Sequence, residues 1–328
     1  MVERWDRIGR TAAYGAAAAL VPYLVIKVSW VVGSLLGLLP VGRGFGLGGW
    51  LVLNTVTIGM AAAGITLGLA LVRPWGMRIP GRLVGFLAWV GSGFLVSILP
   101  FVVVSALVHS GSGDSGSSGG SKGDAAMPGW EAVLLQCSFV GTGIGLAIAL
   151  PAYLWRRWPQ ALRRPEQCST PPGPLWPAAT GAVTGLAWLY WAAGGPLGIA
   201  HRDERPANWH VLVGVSACWA LAASAAVPAL VRRRPARLPY PLLLAVAWLG
   251  SGSMFAWSGW RLPATLYVAL AHPSDVSYPE NVAAAVTLHV TAVLTGAGIM
   301  RTLMRRDRGR ASAPNSAQPS AARVGRHS

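Results

Sequence analysis

The sequence predicts an all-α, polytopic membrane protein with eight transmembrane helices arranged as two parallel four-helix repeats. Three observations carry this. Of 328 residues, 53% are hydrophobic and only 12% charged, about half the charged share of a soluble domain. The apolar residues come in runs of about 20, the length that crosses the hydrocarbon core of a bilayer. One stretch also occurs twice: ALVRPWGMRIPGRLVGFLAWVGSG at 70–93 and ALVRRRPARLPYPLLLAVAWLGSG at 229–252 are offset by 159 and identical at 12 of 24 positions. Each copy reads as a helix end, a basic turn with proline, and an apolar helix carrying Ala-Trp-x-Gly-Ser-Gly. An internal duplication therefore organises the chain.

Residues 1–10 place Arg4, Arg7 and Arg10 before the first apolar run, like the n-region of a signal peptide. The run from Tyr14 to about Leu36 is too long for an h-region. It also has a later counterpart, since Trp30-x-x-Gly33-x-x-x-Gly37 matches Trp191-x-x-Gly194-x-x-x-Gly198. It is expected to remain as the first span. The eight spans are expected near 14–36, 49–72, 83–108, 131–154, 178–199, 209–231, 241–260 and 282–304. Trp50 matches Trp209 in the second span of each half, and Thr142-Gly143-x-Gly145 matches Thr295-Gly296-x-Gly298 in the fourth. Only Pro22 clearly interrupts a span.

The chain accordingly divides into a first membrane repeat at 1–155, a cytoplasmic linker at 156–177, a second repeat at 178–305 and a disordered basic tail at 306–328. Residues 109–127 form a flexible Gly/Ser loop, and the 261–280 stretch is long enough for an interfacial helix.

Lys and Arg exceed Asp and Glu by 27 to 11, giving a net charge of +16. In a soluble protein this would suggest nucleic acid; here the charges lie between apolar runs, which points to membrane topology and to no nucleic-acid partner. The N-terminus, the 2–3, 4–5 and 6–7 loops and the tail hold 21 Arg, against five basic residues (Arg43, Lys122, Arg202, Arg205, Arg261) in the opposite loops. The excess places both termini in the cytoplasm of a cell membrane. Four spans per repeat is even, so the halves run parallel about an axis along the membrane normal.

GxxxG spacing recurs at Gly33/Gly37, Gly64/Gly68, Gly141/Gly145, Gly181/Gly185 and Gly194/Gly198, a pattern that lets helix backbones approach closely. Of 16 Trp, those at run ends form interfacial belts. Trp30/Trp191 and Trp89/Trp248, repeat-matched within spans, share a packing role. Cys137, Cys168 and Cys218 show no CxxC or Cys/His metal spacing and read as free thiols. No nucleophile elbow, HExxH, paired membrane carboxylates or haem-ligating His pair is present, so no enzyme activity, cofactor or metal is expected.

Lys27 is the one Lys, Arg, Asp or Glu clearly inside an expected span. It lies roughly 13 Å below the outer end of its helix at about 1.5 Å per residue, where a charge needs compensation by water, a carboxylate or an anion. Its repeat partner is Trp188, so the fold itself does not require the charge. His289 lies at a comparable depth, matched by Gln136 in the fourth span, and Glu131 and Glu280 sit at outer helix mouths. The candidate ligand site is therefore an outward-facing polar cavity of Lys27, Gln136, His289 and Trp30, with Glu131 or Glu280 as counter-ion. The competing reading is a snorkelling Lys and a core His bonded to a neighbouring helix.

Lys-x-x-Trp-x-x-Gly-Ser at 27–34, echoed by Trp-x-x-Gly-Gly at 191–195, resembles the first-helix signature of uncharacterised four-helix bacterial integral membrane proteins that occur singly or in tandem. The resemblance implies the tandem architecture and no particular activity. Two function classes follow: a protein binding or transporting a small polar or anionic molecule or a lipid, and a non-catalytic structural or partner subunit of a membrane complex. Beyond the lipid bilayer and a small-molecule ligand, no partner or oligomeric state is specified.

Overall fold

The computed structural model describes residues 2–41, 46–111, 129–157, 175–232, 238–271 and 279–311. Most of the expected Gly/Ser loop, of the linker and of the tail, with Lys122 and Cys168, lies outside the described residues. The chain is helical: α1 (Val2–Leu35), α2 (Leu47–Ala70), a short α3 (Pro74–Arg78), α4 (Gly81–Gly111), α5 (Gly129–Arg157), α6 (Trp176–Ala192), α7 (Ala207–Arg232), α8 (Tyr240–Ala271) and α9 (Val282–Ala311). Among the described residues, seven of these are long and apolar enough to cross a membrane: α1, α2, α4, α5, α7, α8 and α9.

Their surfaces agree. Val21, Val25, Val28, Val32 and Leu35, spaced by three or four residues along one side of α1, are all exposed. Such a stripe is unfavourable in water and suits lipid. Many of the buried positions are instead small or weakly polar, including Ala13, Ala16, Ala217, Ala220, Ala223, Ser97, Ser251 and Thr295, as expected where helix association rests on close packing and hydroxyl bonds. The protein is a multi-pass, membrane-embedded helical protein.

In the first half, α1 packs on α2 and α5, and α4 packs on α2 and α5; in the second, α6 packs on α7 and α9, and α8 on α7 and α9. The small residues make these contacts. A Cβ at Gly64 or Gly68 of α2 would press on Leu20 or Ala17 of α1, and one at Gly141 or Gly145 of α5 on Ala19 or Ala16. Gly181 and Gly185 bring α6 equally close to Ser224 and Leu221 of α7. The halves meet where α4 crosses α8 and touches α7.

The fifth expected span is shorter than expected. α6 stops at Ala192 after 17 residues, not at 199. Gly194 adopts φ +95°, and Gly195 N–H and Gly194 N–H bond back to Tyr190 O and Trp191 O, a Schellman stop. Pro196 cannot continue the helix. The first half uses the same stop later: Leu38 N–H and Gly37 N–H bond to Gly33 O and Ser34 O, with Gly37 at φ +69°. The other two GxxxG pairs, Gly33/Gly37 and Gly194/Gly198, thus serve helix ends.

Conversely, α8 runs past its expected end at 260 to Ala271, through Pro263. Arg261 is therefore inside a helix and not in a loop, and residues 261–271 extend α8 where an interfacial helix was expected. Pro100, Pro151 and Pro228 also lie within helices, in addition to Pro22; neighbouring helices allow such interruptions in membrane segments.

Candidate functional site

Lys27 lies on α1, half-buried against α2. Its Nζ donates to Asn54 Oδ1 at 3.1 Å and sits 4.1 Å from the centre of the Trp30 ring, with Tyr23 further off at 5.8 Å. One turn of α1 separates Lys27 from Trp30, which brings the indole face under the ammonium, a cation–π arrangement. Asn54 is fully buried and fixed from behind by its Nδ2–H bond to Trp50 O at 2.9 Å. Trp30 and Trp50 stack at 5.6 Å, and Trp50 Nε1–H donates to Ser34 Oγ at 3.1 Å. The cation is held by an amide and an aromatic face that are themselves held.

The expected residues divide between two places. Lys27 and Trp30 are together. Gln136 is exposed on α5, and Glu131 is half-buried in the first turn of that helix. His289 is buried on α9, its Nδ1 3.2 Å from Ser258 Oγ of α8 and its ring 6.2 Å from that of Trp188. All described contacts of His289 come from the second half, and Asn54, Trp30 and Tyr23, the partners described for Lys27, come from the first.

Glu280, one of the two expected counter-ions, binds elsewhere. Its Oε1 accepts from Trp209 Nε1 at 2.9 Å and from the Arg261 guanidinium at 3.3 Å. Segment 279–281, which carries it, is clasped to the loop after α6: Ala200 N–H donates to Pro279 O and Asn281 N–H to Gly198 O, both at 2.8 Å. Trp191 closes that loop from inside, its Nε1–H donating to Leu197 O at 2.7 Å.

Each half thus carries a Trp pair at the same bundle end, Trp30/Trp50 and Trp191/Trp209, the latter with centroids 6.5 Å apart. The pair holds a cation in the first half and touches a carboxylate in the second. Sequence reasoning missed Asn54 as the lysine's partner. It missed Arg261 as a partner of Glu280 because the seventh span was expected to end at 260.

The opposite end is tied by arginines. Arg156 donates to Leu71 O at 2.7 Å, and Arg157 to Gly76 O at 3.1 Å and Ile79 O at 2.8 Å, so the end of α5 satisfies carbonyls of the α2–α4 connection. Fold and side chains together define a multi-pass helical membrane protein in which, among the described residues, Lys27 is half-buried and Arg261 pairs with the buried Glu280. No family model, curated protein or solved structure matches the chain.

Proposed function

We propose that this chain is a non-catalytic, two-repeat protein of the cell membrane with both termini cytoplasmic, and that it binds, for transport or sensing, a small anionic or polar molecule or lipid headgroup at Lys27. The repeat reading is supported by the matching neighbour pairs, α1/α2, α1/α5, α4/α5 and α2/α4 against α6/α7, α6/α9, α8/α9 and α7/α8. An eighth crossing by α6 is supported at both of its ends. Trp176 and Pro177 lie against Gly298 of α9, and Gly198 bonds to Asn281 at the start of the same helix.

The observation that carries the ligand reading is the cradle of Lys27. Its ammonium lies within an apolar helix, oriented by Trp30 and Asn54, at a position where the second half has Trp188 packed beside His289. An oriented cation in a low-dielectric setting attracts an anion far more strongly than one in water. The test is thermal stability of wild type and Lys27→Met with inorganic phosphate, short carboxylates and short-chain anionic lipids. Wild type should be stabilised by at least one of these and the variant by none; equal shifts in both remove Lys27 from any site.

The second reading, a structural or partner subunit, is favoured by the inner polar groups of the second half, where Ser258 faces His289 and Trp209 faces Glu280. Under it no probe distinguishes the two proteins.

A further inference from the structure

The first helix carries an exposed stripe whose chemistry changes along its length. Positions three and four apart share a helix face. Arg7, Arg10, Tyr14, Ala18, Val21 and Val25 follow that spacing on α1, and all six are exposed. The stripe begins cationic, passes through a phenol ring and continues apolar. A second element completes its cationic end. Arg73, which follows α2 and is also exposed, places its guanidinium 5.7 Å from the centre of the Tyr14 ring. Three arginines from two elements therefore gather about one aromatic side chain.

The carboxylates nearby do not cancel this charge. The first ten residues and Arg73 hold four arginines against Glu3 and Asp6, and Asp6 is engaged by Arg156 at 3.5 Å. Membrane orientation asks for basic residues at this end of the bundle, but not for this arrangement. On the alignment that pairs Lys27 with Trp188, Tyr14 falls on Leu175 and Arg10 on Pro171. The second half keeps Arg232 at the position of Arg73 yet does not repeat the cluster.

The partner that fits this surface carries negative charge beside the guanidinium groups and apolar chain along the next turns of α1. A guanidinium binds a phosphate through paired N–H donors, and a tyrosine ring suits the headgroup level of a bilayer. From Tyr14 to Val25 the helix rises about 16 Å, close to one leaflet, half of a hydrocarbon core of about 30 Å. Because these side chains are exposed, the site lies on the open surface and needs no internal cavity.

We propose that Arg7, Arg10 and Arg73, gathered about Tyr14, hold the headgroup of an anionic phospholipid whose acyl chain lies along Ala18, Val21 and Val25. The headgroup end is about 26 Å along α1 from Lys27, and the site does not depend on that residue.

The test uses the full-length protein in a neutral detergent, titrated with mixed micelles of 16-carbon phosphatidylglycerol or of phosphatidylcholine with the same chains; these chain lengths approximate roughly one leaflet. Phosphatidylglycerol should raise the unfolding temperature saturably and phosphatidylcholine should not. Arg7→Gln with Arg10→Gln, and separately Arg73→Gln, should weaken the phosphatidylglycerol response by roughly fivefold in apparent affinity per arginine. Arg78→Gln with Arg82→Gln removes the same charge from exposed positions of the same end and should change it little. Glycerol phosphate, the headgroup without chains, should give no shift, and short-chain lipid a much weaker one, because buried CH2 groups supply the rest of the binding. Lys27→Met should keep the preference, which separates this site from the one at Lys27. Equal responses of wild type to both lipids overturn the proposal. So does an equal loss in the Arg78/Arg82 variant, which would assign the effect to the charge of the whole end, or a glycerol phosphate shift as large as that of the lipid. Should Arg73→Gln fail to fold, the Arg7/Arg10 variant, altered only on exposed turns of α1, decides the matter.

Discussion

Trp89 Nε1–H donates to the carbonyl of Trp248, its own counterpart 159 residues further on, at 3.1 Å. The same N–H reaches Ser251 Oγ at 3.1 Å, and the Trp89 ring packs on Phe255 with centroids 4.7 Å apart. One turn along, Gly93 and Gly252, also counterparts, leave no space for a side chain: a Cβ on Gly93 would strike the Gly252 backbone, and one on Gly252 would come within 2.7 Å of Trp89 O. Ser97 and Ser253 complete the seam at 2.7 Å. The repeated Ala-Trp-x-Gly-Ser-Gly motif is thus where the halves join.

Gly93→Ala should be costly because the atoms it meets are backbone and cannot swing away. Overpacking of this kind costs about 1–3 kcal/mol. Gly91→Ala, two residues away, meets nothing within 4 Å and should be neutral or stabilising by about 0.5–1 kcal/mol through helix propensity. Thermal unfolding of both variants checks the contrast; equal stabilities would mean that α4 and α8 are not in this register.

Trp89→Phe keeps a ring against Phe255 but removes the N–H shared by Trp248 O and Ser251 Oγ. The expected loss is about 1 kcal/mol, one neutral hydrogen bond. Trp89→Ala should lose about 3–5 kcal/mol by opening a cavity. A Phe variant as unstable as the Ala variant would show that the hydrogen bond dominates the seam.

Gly194→Ala tests why α6 is short. No atom lies within 4 Å of the added Cβ, so the cost is conformational alone, about 1–2 kcal/mol for a non-glycine residue in the left-handed region. Gly214→Ala, helical and with its added Cβ 3.6 Å from Ala192, should show no such loss. Equal unfolding temperatures for the two variants would contradict the Schellman stop.

Arg157→Met should lower stability by about 1.5–3 kcal/mol for each charged hydrogen bond lost to Gly76 O and Ile79 O. Asp6→Asn removes only the 3.5 Å ion pair with Arg156, whose side chains are 32% and 34% exposed, and should change little, since such pairs contribute about 0–1 kcal/mol. A larger effect from Asp6→Asn would reverse this ranking.

Much of the architecture was legible because lipid-exposed helices leave simple marks: long apolar runs, and glycines at four-residue spacing. Gly64/Gly68, Gly141/Gly145 and Gly181/Gly185 lie at helix contacts as the spacing implied. Gly194 was not read correctly, because the same spacing also serves a helix stop, here where Gly194-Gly195 is followed by Pro196. Arg261 was misplaced for a related reason: a basic residue two positions before Pro263 looks like a helix end in sequence, whereas a packed helix continues through it. Lys27 stood out as a lone cation, but Asn54 could not be paired with it from sequence, since the α1–α2 register is set by Leu20 and Ala17 fitting over Gly64 and Gly68.

The orientation we propose from the Arg asymmetry can be probed at ends that the structure supplies. Arg78 lies at the end where Arg156 and Arg157 cap carbonyls, and Arg202 follows α6 at the end that holds Glu280. In a background with Cys137, Cys168 and Cys218 replaced, single cysteines at 78 and 202 should label from opposite sides, 202 in intact cells and 78 only after permeabilisation. Residues 115 and 165, outside the described residues, should label like 202 and 78 respectively. The pair 165 and 202 tests α6 itself, because these positions flank it. Roughly 17 residues of helix rise about 26 Å, slightly less than the hydrocarbon thickness of about 30 Å, so the crossing we propose for α6 needs the clasped 193–201 loop to complete it. Labelling of 165 and 202 from the same side would reduce the count to seven spans and break the parallel relation of the halves. Opposite sides with the polarity reversed would keep the architecture and overturn the cytoplasmic placement of the termini.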